Sequence, residues 1–262
     1  VLFLEQDIAH NPIGDRQMIW WISFGKSGAN YPMVMLDSGH QLIDGYQNFY
    51  PTYKNMVNAE LLREPQAEVE SYAWRAGNHY KYSVRIKNLL GTTLSTLNEA
   101  RVNAMVYEEA HVGVTNRIVR AAVVAQMMNP LSQGATDFYS LSTDDLSGVN
   151  WDKLHTIAFV EYRSGGMSGP FDMLQADISE PASFSLLPPA VCFMVDISDP
   201  TNQAMQISMK GPFSLNWSAN SPVSWLTITP NSGSIASPPT FTVQASLLQP
   251  GSQSSIVTLS AS

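Results

Sequence analysis

The chain has 262 residues, of which 44% are hydrophobic and only 14% are charged. Its 14 basic and 22 acidic residues give a net charge of −8, which argues against nucleic-acid binding because such binding needs a basic footprint. The single cysteine, Cys192, excludes an internal disulfide, a cysteine-based zinc site and a Cys-x-x-Cys redox pair within this sequence. No apolar run approaches the roughly 18 residues of a membrane-spanning helix, and we predict no cofactor.

The first 64 residues predict a mixed α/β segment. The sequence starts at Val1 in a strand-like apolar run without an initiator Met, so we expect a processed or trimmed chain. Turn residues at 37–40 join two strands into a hairpin, in which we expect Asp37 to bond its own turn backbone, and His40 has no ionisable partner that the sequence places. The predicted elements, in order, are a strand at 1–5, a helix at 15–24, strands at 33–36 and 41–45, and a helix at 50–63.

This order of elements resembles the C-terminal half of a thioredoxin-like domain, in which Pro32 takes the position of the family's cis-proline. The half of that fold that carries Cys-x-x-Cys is absent from the sequence, so the resemblance implies no dithiol exchange. In such a sheet the missing strand lies between residues 1–5 and 33–36. Each unpaired buried backbone group costs roughly 1–3 kcal/mol, so we expect a rearranged sheet, a bound upstream segment or a strand from a neighbouring subunit.

Residues 66–180 predict an immunoglobulin-like β-sandwich. About seven short segments with strand-like patterns are separated by turn signals, which is the spacing typical of such sandwiches. The Gly-rich stretch 163–170 follows a strand without an evident helix, so we interpret it as a loop and not as a phosphate cradle. The predicted strands are 67–74, 80–87, 102–107, 118–126, 136–141 and 154–162.

Residues 185–262 predict a second, smaller sandwich with a different surface. Its predicted strands are 204–209, 213–217, 225–229, 240–245 and 256–259. The stretch 184–262 contains only three of the 36 charged side chains: Asp196, Asp199 and Lys210. A Trp225-Leu226 strand followed by a Pro230-x-x-Gly233 turn and closing strands resembles the BACON-like bacterial sandwich domains. The resemblance implies an extracellular bacterial β-sandwich, often an accessory module, and it carries over the fold but no sugar site.

Two pairs of residues are candidates for binding. Glu109 and His111 share a strand face and could hold a divalent metal, although the pattern favours a solvated acidic turn. Trp217 and Trp225 form a sugar-stacking platform if they are exposed, but alternating strands of this kind favour burial in the core. The sequence contains no nucleophile elbow, Walker loop or dinucleotide-binding fingerprint, and we predict no catalytic residue.

The sequence therefore predicts a mainly β protein of three domains: residues 1–64, 66–180 and 185–262. The leading hypothesis is a non-catalytic, secreted or cell-surface bacterial protein that is structural or adhesive and self-associates, as a homo-oligomer or through a strand-donating neighbour. One alternative is the truncated remnant of a secreted thioredoxin-like oxidoreductase whose Cys-x-x-Cys lies upstream. A second alternative is an accessory module that binds a glycan.

Overall fold

The computed structural model describes residues 33–44, 49–111, 116–166, 170–196, 198 and 201–261. The chain divides into two compact units, Val1–Glu180 and Pro181–Ser262. The predicted strand at 1–5, the predicted helix at 15–24 and the candidate cis-proline Pro32 lie outside the described residues. No helix in the described part of the chain is long and apolar enough to cross a membrane.

A hairpin and a helix open the described part of the first unit. Strand β1 (Met33–Leu36) pairs antiparallel with β2 (Gln41–Asp44), and helix α1 (Phe49–Glu60) follows. The hairpin is the one that the turn residues predict. Helix α1 ends at Glu60, three residues before its predicted end. Pro65 follows shortly after and disfavours helical backbone in the residue before it, so the helix could not have continued much further.

Eight strands of the first unit build two antiparallel sheets. One sheet has the order β10-β3-β4-β7 and the other has the order β6-β5-β8-β9. The strands are β3 (Ala67–Ala76), β4 (His79–Asn88), β5 (Arg101–Glu108), β6 (Ile118–Gln126), β7 (Thr136–Ser142), β8 (Leu154–Arg163), β9 (Phe171–Ile178) and the two-residue β10 (Glu180–Pro181).

The core of the first unit lies between these two sheets. Alternate residues of β4, such as Tyr82, Val84 and Ile86, and of β5, such as Val102 and Val106, point into it because side chains of a strand alternate between its faces. All six strands predicted in this region are confirmed within two residues at each end. Strand β9 and the two-residue β10 are the strands that the pattern misses.

The second unit is a smaller β-sandwich. Two three-stranded antiparallel sheets have the orders β12-β17-β15 and β16-β14-β18, and a separate pair joins β11 to β13. Its core contains Trp217, Ile228 and Phe241. The strands are β11 (Ser185–Leu187), β12 (Gln203–Gln206), β13 (Ser208–Lys210), β14 (Asn216–Asn220), β15 (Leu226–Thr229), β16 (Ser232–Ser234), β17 (Thr240–Val243) and β18 (Thr258–Ala261).

Two predicted strands of the second unit are shifted along the chain. The segment expected at 213–217 begins as a turn, in which the Leu215 amide donates to the Pro212 carbonyl, and the strand itself starts at Asn216. The closing strand starts at Thr258 and not at Ile256. In both cases the alternating pattern starts earlier in the sequence than the strand does. The first residues of the pattern alternate in the same way but are not paired with a described strand.

Candidate functional site

A charged cluster forms where the hairpin, the end of α1 and strand β9 meet. Five side chains make it up: Asp37, His40, Glu60, Arg63 and Asp172. The first two come from the turn between β1 and β2, the next two from the last residue of α1 and the turn that follows it, and Asp172 from the second residue of β9. Residues far apart in the sequence are thus brought together by the packing of the hairpin turn against β9.

The Arg63 guanidinium is the centre of the charged cluster. Its Nη1 donates to Asp37 Oδ2 at 3.2 Å and to Glu60 Oε2 at 2.9 Å, and its Nη2 donates to Asp172 Oδ1 at 2.6 Å. Glu60 Oε1 also lies 2.7 Å from His40 Nδ1 and accepts from Gln41 Nε2 at 2.6 Å. One guanidinium therefore holds three carboxylates.

Burial and hydrogen bonding shift the pKa values of Asp37 and Glu60 in opposite directions. Burial, together with the hydrogen bond and the repulsion from Glu60, raises the pKa of Asp37 from 3.8 to about 6. Burial opposes the ionisation of Glu60 as well, but hydrogen bonds from His40 and Arg63 outweigh it and lower the pKa of Glu60. The two carboxyl groups therefore differ in protonation: Glu60 stays ionised, whereas Asp37 gains or loses its proton at a pH of about 6.

The turn that presents Asp37 has an unusual backbone. Asp37, Ser38 and Gly39 have φ angles of 46°, 63° and 118°, so three consecutive residues lie in the left-handed region. Only glycine adopts this region without steric cost, and non-glycine residues there mark sites that the surrounding structure holds in place. The Asp37 side chain bonds Arg63 across the cluster, a partner that the sequence did not place.

A second, more deeply buried network lies on the outer face of the sheet β6-β5-β8-β9. The fully buried Glu161 accepts from Arg101 Nε at 2.7 Å, and the Arg101 guanidinium stacks 3.9 Å from the centre of the Phe171 ring. Arg163 approaches the same ring and bonds Glu99 Oε2 at 3.0 Å. Phe171 and Asp172 are consecutive, so β9 contributes to both networks.

Glu109 and His111, the candidate metal ligands, contact other side chains. Glu109 accepts from Arg117 Nε at 3.2 Å, and its other oxygen lies 3.7 Å from His155 Nε2. His111 Nδ1 lies 3.1 Å from Asn116 Oδ1. Across the described ranges no group of three or more His, Cys, Asp and Glu side chains has the geometry of a metal site.

The two tryptophans that were candidates for a sugar platform contribute to the core of the second unit. Trp217 is buried, and its indole Nε1 donates to the Ser234 carbonyl at 2.8 Å. Trp225 is half-buried and packs against the same core. Since both faces of the Trp217 ring are covered, that ring offers no surface on which a sugar could stack.

The surface of the second unit contains a shallow, uncharged depression. It has a volume of about 240 Å³ and lies between β14 and β18. Ile256, at its rim, is 87% exposed. The lining consists of Ser218, Ala219, Asn220, Pro222, Ile256, Thr258 and Ser260.

Sequence reasoning missed three members of the charged cluster. Glu60 and Arg63 follow a helix as ordinary polar residues, and Asp172 lies in a stretch without a clear strand pattern. A local signal exists only for Glu60 and Arg63, which are three residues apart at the helix end, a spacing at which side chains become neighbours. Nothing in the sequence near Asp172 predicts its partner 109 positions earlier.

Comparisons with known proteins agree with the reading of the second unit. Residues 184–262 match the family model described as the viral BACON domain. Comparison with curated proteins found no match. Together with the two small sheets, the match makes the C-terminal part of this chain a BACON-like β-sandwich.

Three solved structures resemble parts of the chain at low TM-scores. A domain of the outer membrane lipoprotein Omp28 from Porphyromonas gingivalis has a TM-score of 0.30 at 19% identity over 46% of this chain and 93% of that one. The sporulation control protein Spo0M from Bacillus subtilis has 0.29 at 9% identity, over 44% and 49%. β-Glucosidase 3B from Thermotoga neapolitana has 0.23 at 13% identity, over 63% and 20%. These TM-scores are too low to support a fold assignment. The BACON-like assignment of residues 184–262 comes from the family model and not from these structures.

Proposed function

We propose that this chain is a non-catalytic, secreted or cell-surface bacterial protein with a structural or adhesive role, and that it self-associates. One observation carries the proposal: the BACON-like unit exposes large apolar side chains on a surface with almost no charge. Exposed apolar surface without charged neighbours favours association, because burying it is favourable and no like charges oppose the approach.

The exposed apolar side chains of the second unit lie on several of its segments. Met194 is 85% exposed and Ile256 is 87% exposed, and Leu187, Met205 and Leu247 are also exposed. Only Asp196, Asp199 and Lys210 are charged in residues 184–262. The polar part of this surface consists of hydroxyl and amide groups, which can hydrogen-bond a partner without the desolvation cost of an ion.

The finer fold assignments belong to the same proposal. In the first unit β10, β3, β4 and β7 share one sheet and β6, β5, β8 and β9 share the other. Two antiparallel sheets of this kind support an immunoglobulin-like sandwich. The order hairpin, then helix, supports a thioredoxin-like origin for residues 1–64. We propose three domains on this basis, the two sandwiches being preceded by this α/β segment.

Sedimentation velocity of the complete chain over a hundredfold range of concentration tests the proposal. We expect species larger than the monomer that grow with concentration and persist in 0.5 M NaCl, since contacts between uncharged surfaces are not screened by salt. Ile256→Lys should reduce association, whereas Ser252→Lys, which adds the same charge at an exposed polar position, should reduce it less. A monomer at every concentration would contradict the proposal.

A further inference from the structure

We draw no further inference here: the strongest candidate, the apolar cluster of Met105, Tyr107, Ile157 and Phe159 on the outer face of the sheet β6-β5-β8-β9, carries none, because nothing in the described part of the chain shows what covers it.

Discussion

Asn103 is a buried polar residue whose amide is not hydrogen-bonded. It lies on β5 with 1% of its surface exposed, and neither Nδ2 nor Oδ1 has a hydrogen-bond partner among the described residues. Its cross-strand neighbours are Val124 and Phe159, which offer only apolar side chains. An unpaired amide in such a place costs about 1–3 kcal/mol.

Asn103→Leu is therefore expected to stabilise the first unit by about 1–2 kcal/mol, because it removes the unpaired amide at similar volume. The matched control is Asn88→Leu, since Asn88 is equally buried but donates to the carbonyls of Thr92 and Leu131 and accepts from the Leu90 amide. That change should destabilise the unit by about 3 kcal/mol. Urea unfolding followed by hydrogen exchange in peptides of the first unit measures both, and a loss of stability in Asn103→Leu would contradict the argument.

At the scale of elements, one guanidinium joins three parts of the chain. Arg63 connects the turn between β1 and β2, the end of α1 and strand β9 through Asp37, Glu60 and Asp172. Among the described side chains of helix α1, Met56 is the buried apolar residue. The charged cluster therefore contributes to holding the hairpin and α1 on the sandwich.

The attachment of the hairpin and α1 is expected to weaken as the pH rises from 5 to 8. The pKa of Asp37 is raised from 3.8 to about 6 in the fold, so its contribution to stability is complete below pH 3.8 and is lost as the pH rises through about 6. Glu60, whose pKa is lowered, stays ionised throughout this range. Because Asp37 is partly exposed, solvent screening limits the loss between pH 5 and 8 to roughly 0.5–1 kcal/mol.

Asp37→Asn should remove this pH dependence, because asparagine cannot ionise and tolerates the left-handed backbone. Hydrogen exchange of residues 33–44 and 49–60 at pH 5 and pH 8, corrected for the intrinsic rates, is the measurement. Arg63→Met is the contrasting variant, for which we expect faster exchange at both pH values. An equal pH dependence in the wild type and Asp37→Asn would show that another group is responsible.

At the scale of the whole molecule, the two units have separate cores and different surfaces. The buried cluster of the first unit draws on residues 67–174, and that of the second on residues 207–243. The first unit has charged residues and buried ion pairs, whereas the second relies on apolar packing and neutral polar groups. Each unit should therefore respond separately to changes in its own core.

Trp217→Ala is expected to destabilise the second unit by about 3–5 kcal/mol, because it removes the largest core side chain and leaves the Ser234 carbonyl without its donor. Trp225→Ala, at a half-buried position of the same core, should cost less. Exchange in peptides from β3 to β9 should be unchanged in both variants. A comparable acceleration in both units would show that their stabilities are coupled.

Most strands were predictable from the sequence because alternation is a local property. The strand 118–126 was predicted to the residue, and the hairpin at Met33–Leu36 followed from its turn residues. Strand β9 escaped detection because Asp172 and Asp177 interrupt its pattern. Asp172 binds Arg63, and Asp177 accepts from the Ser71 amide and hydroxyl, so both carboxylates are satisfied by residues more than 100 positions away.

The sequence by itself determined the mainly β character, the position of most strands, the uncharged surface of the C-terminal part and its BACON-like resemblance, since each depends on composition or on neighbouring residues. Only the tertiary structure decided which strands lie at the ends of the described sheets, that the buried Asn103 has no hydrogen-bond partner in the described part of the chain, and how Asp37, Glu60, Arg63 and Asp172 meet. These features depend on pairing between distant segments, and no local pattern encodes which of many similar strands will become neighbours.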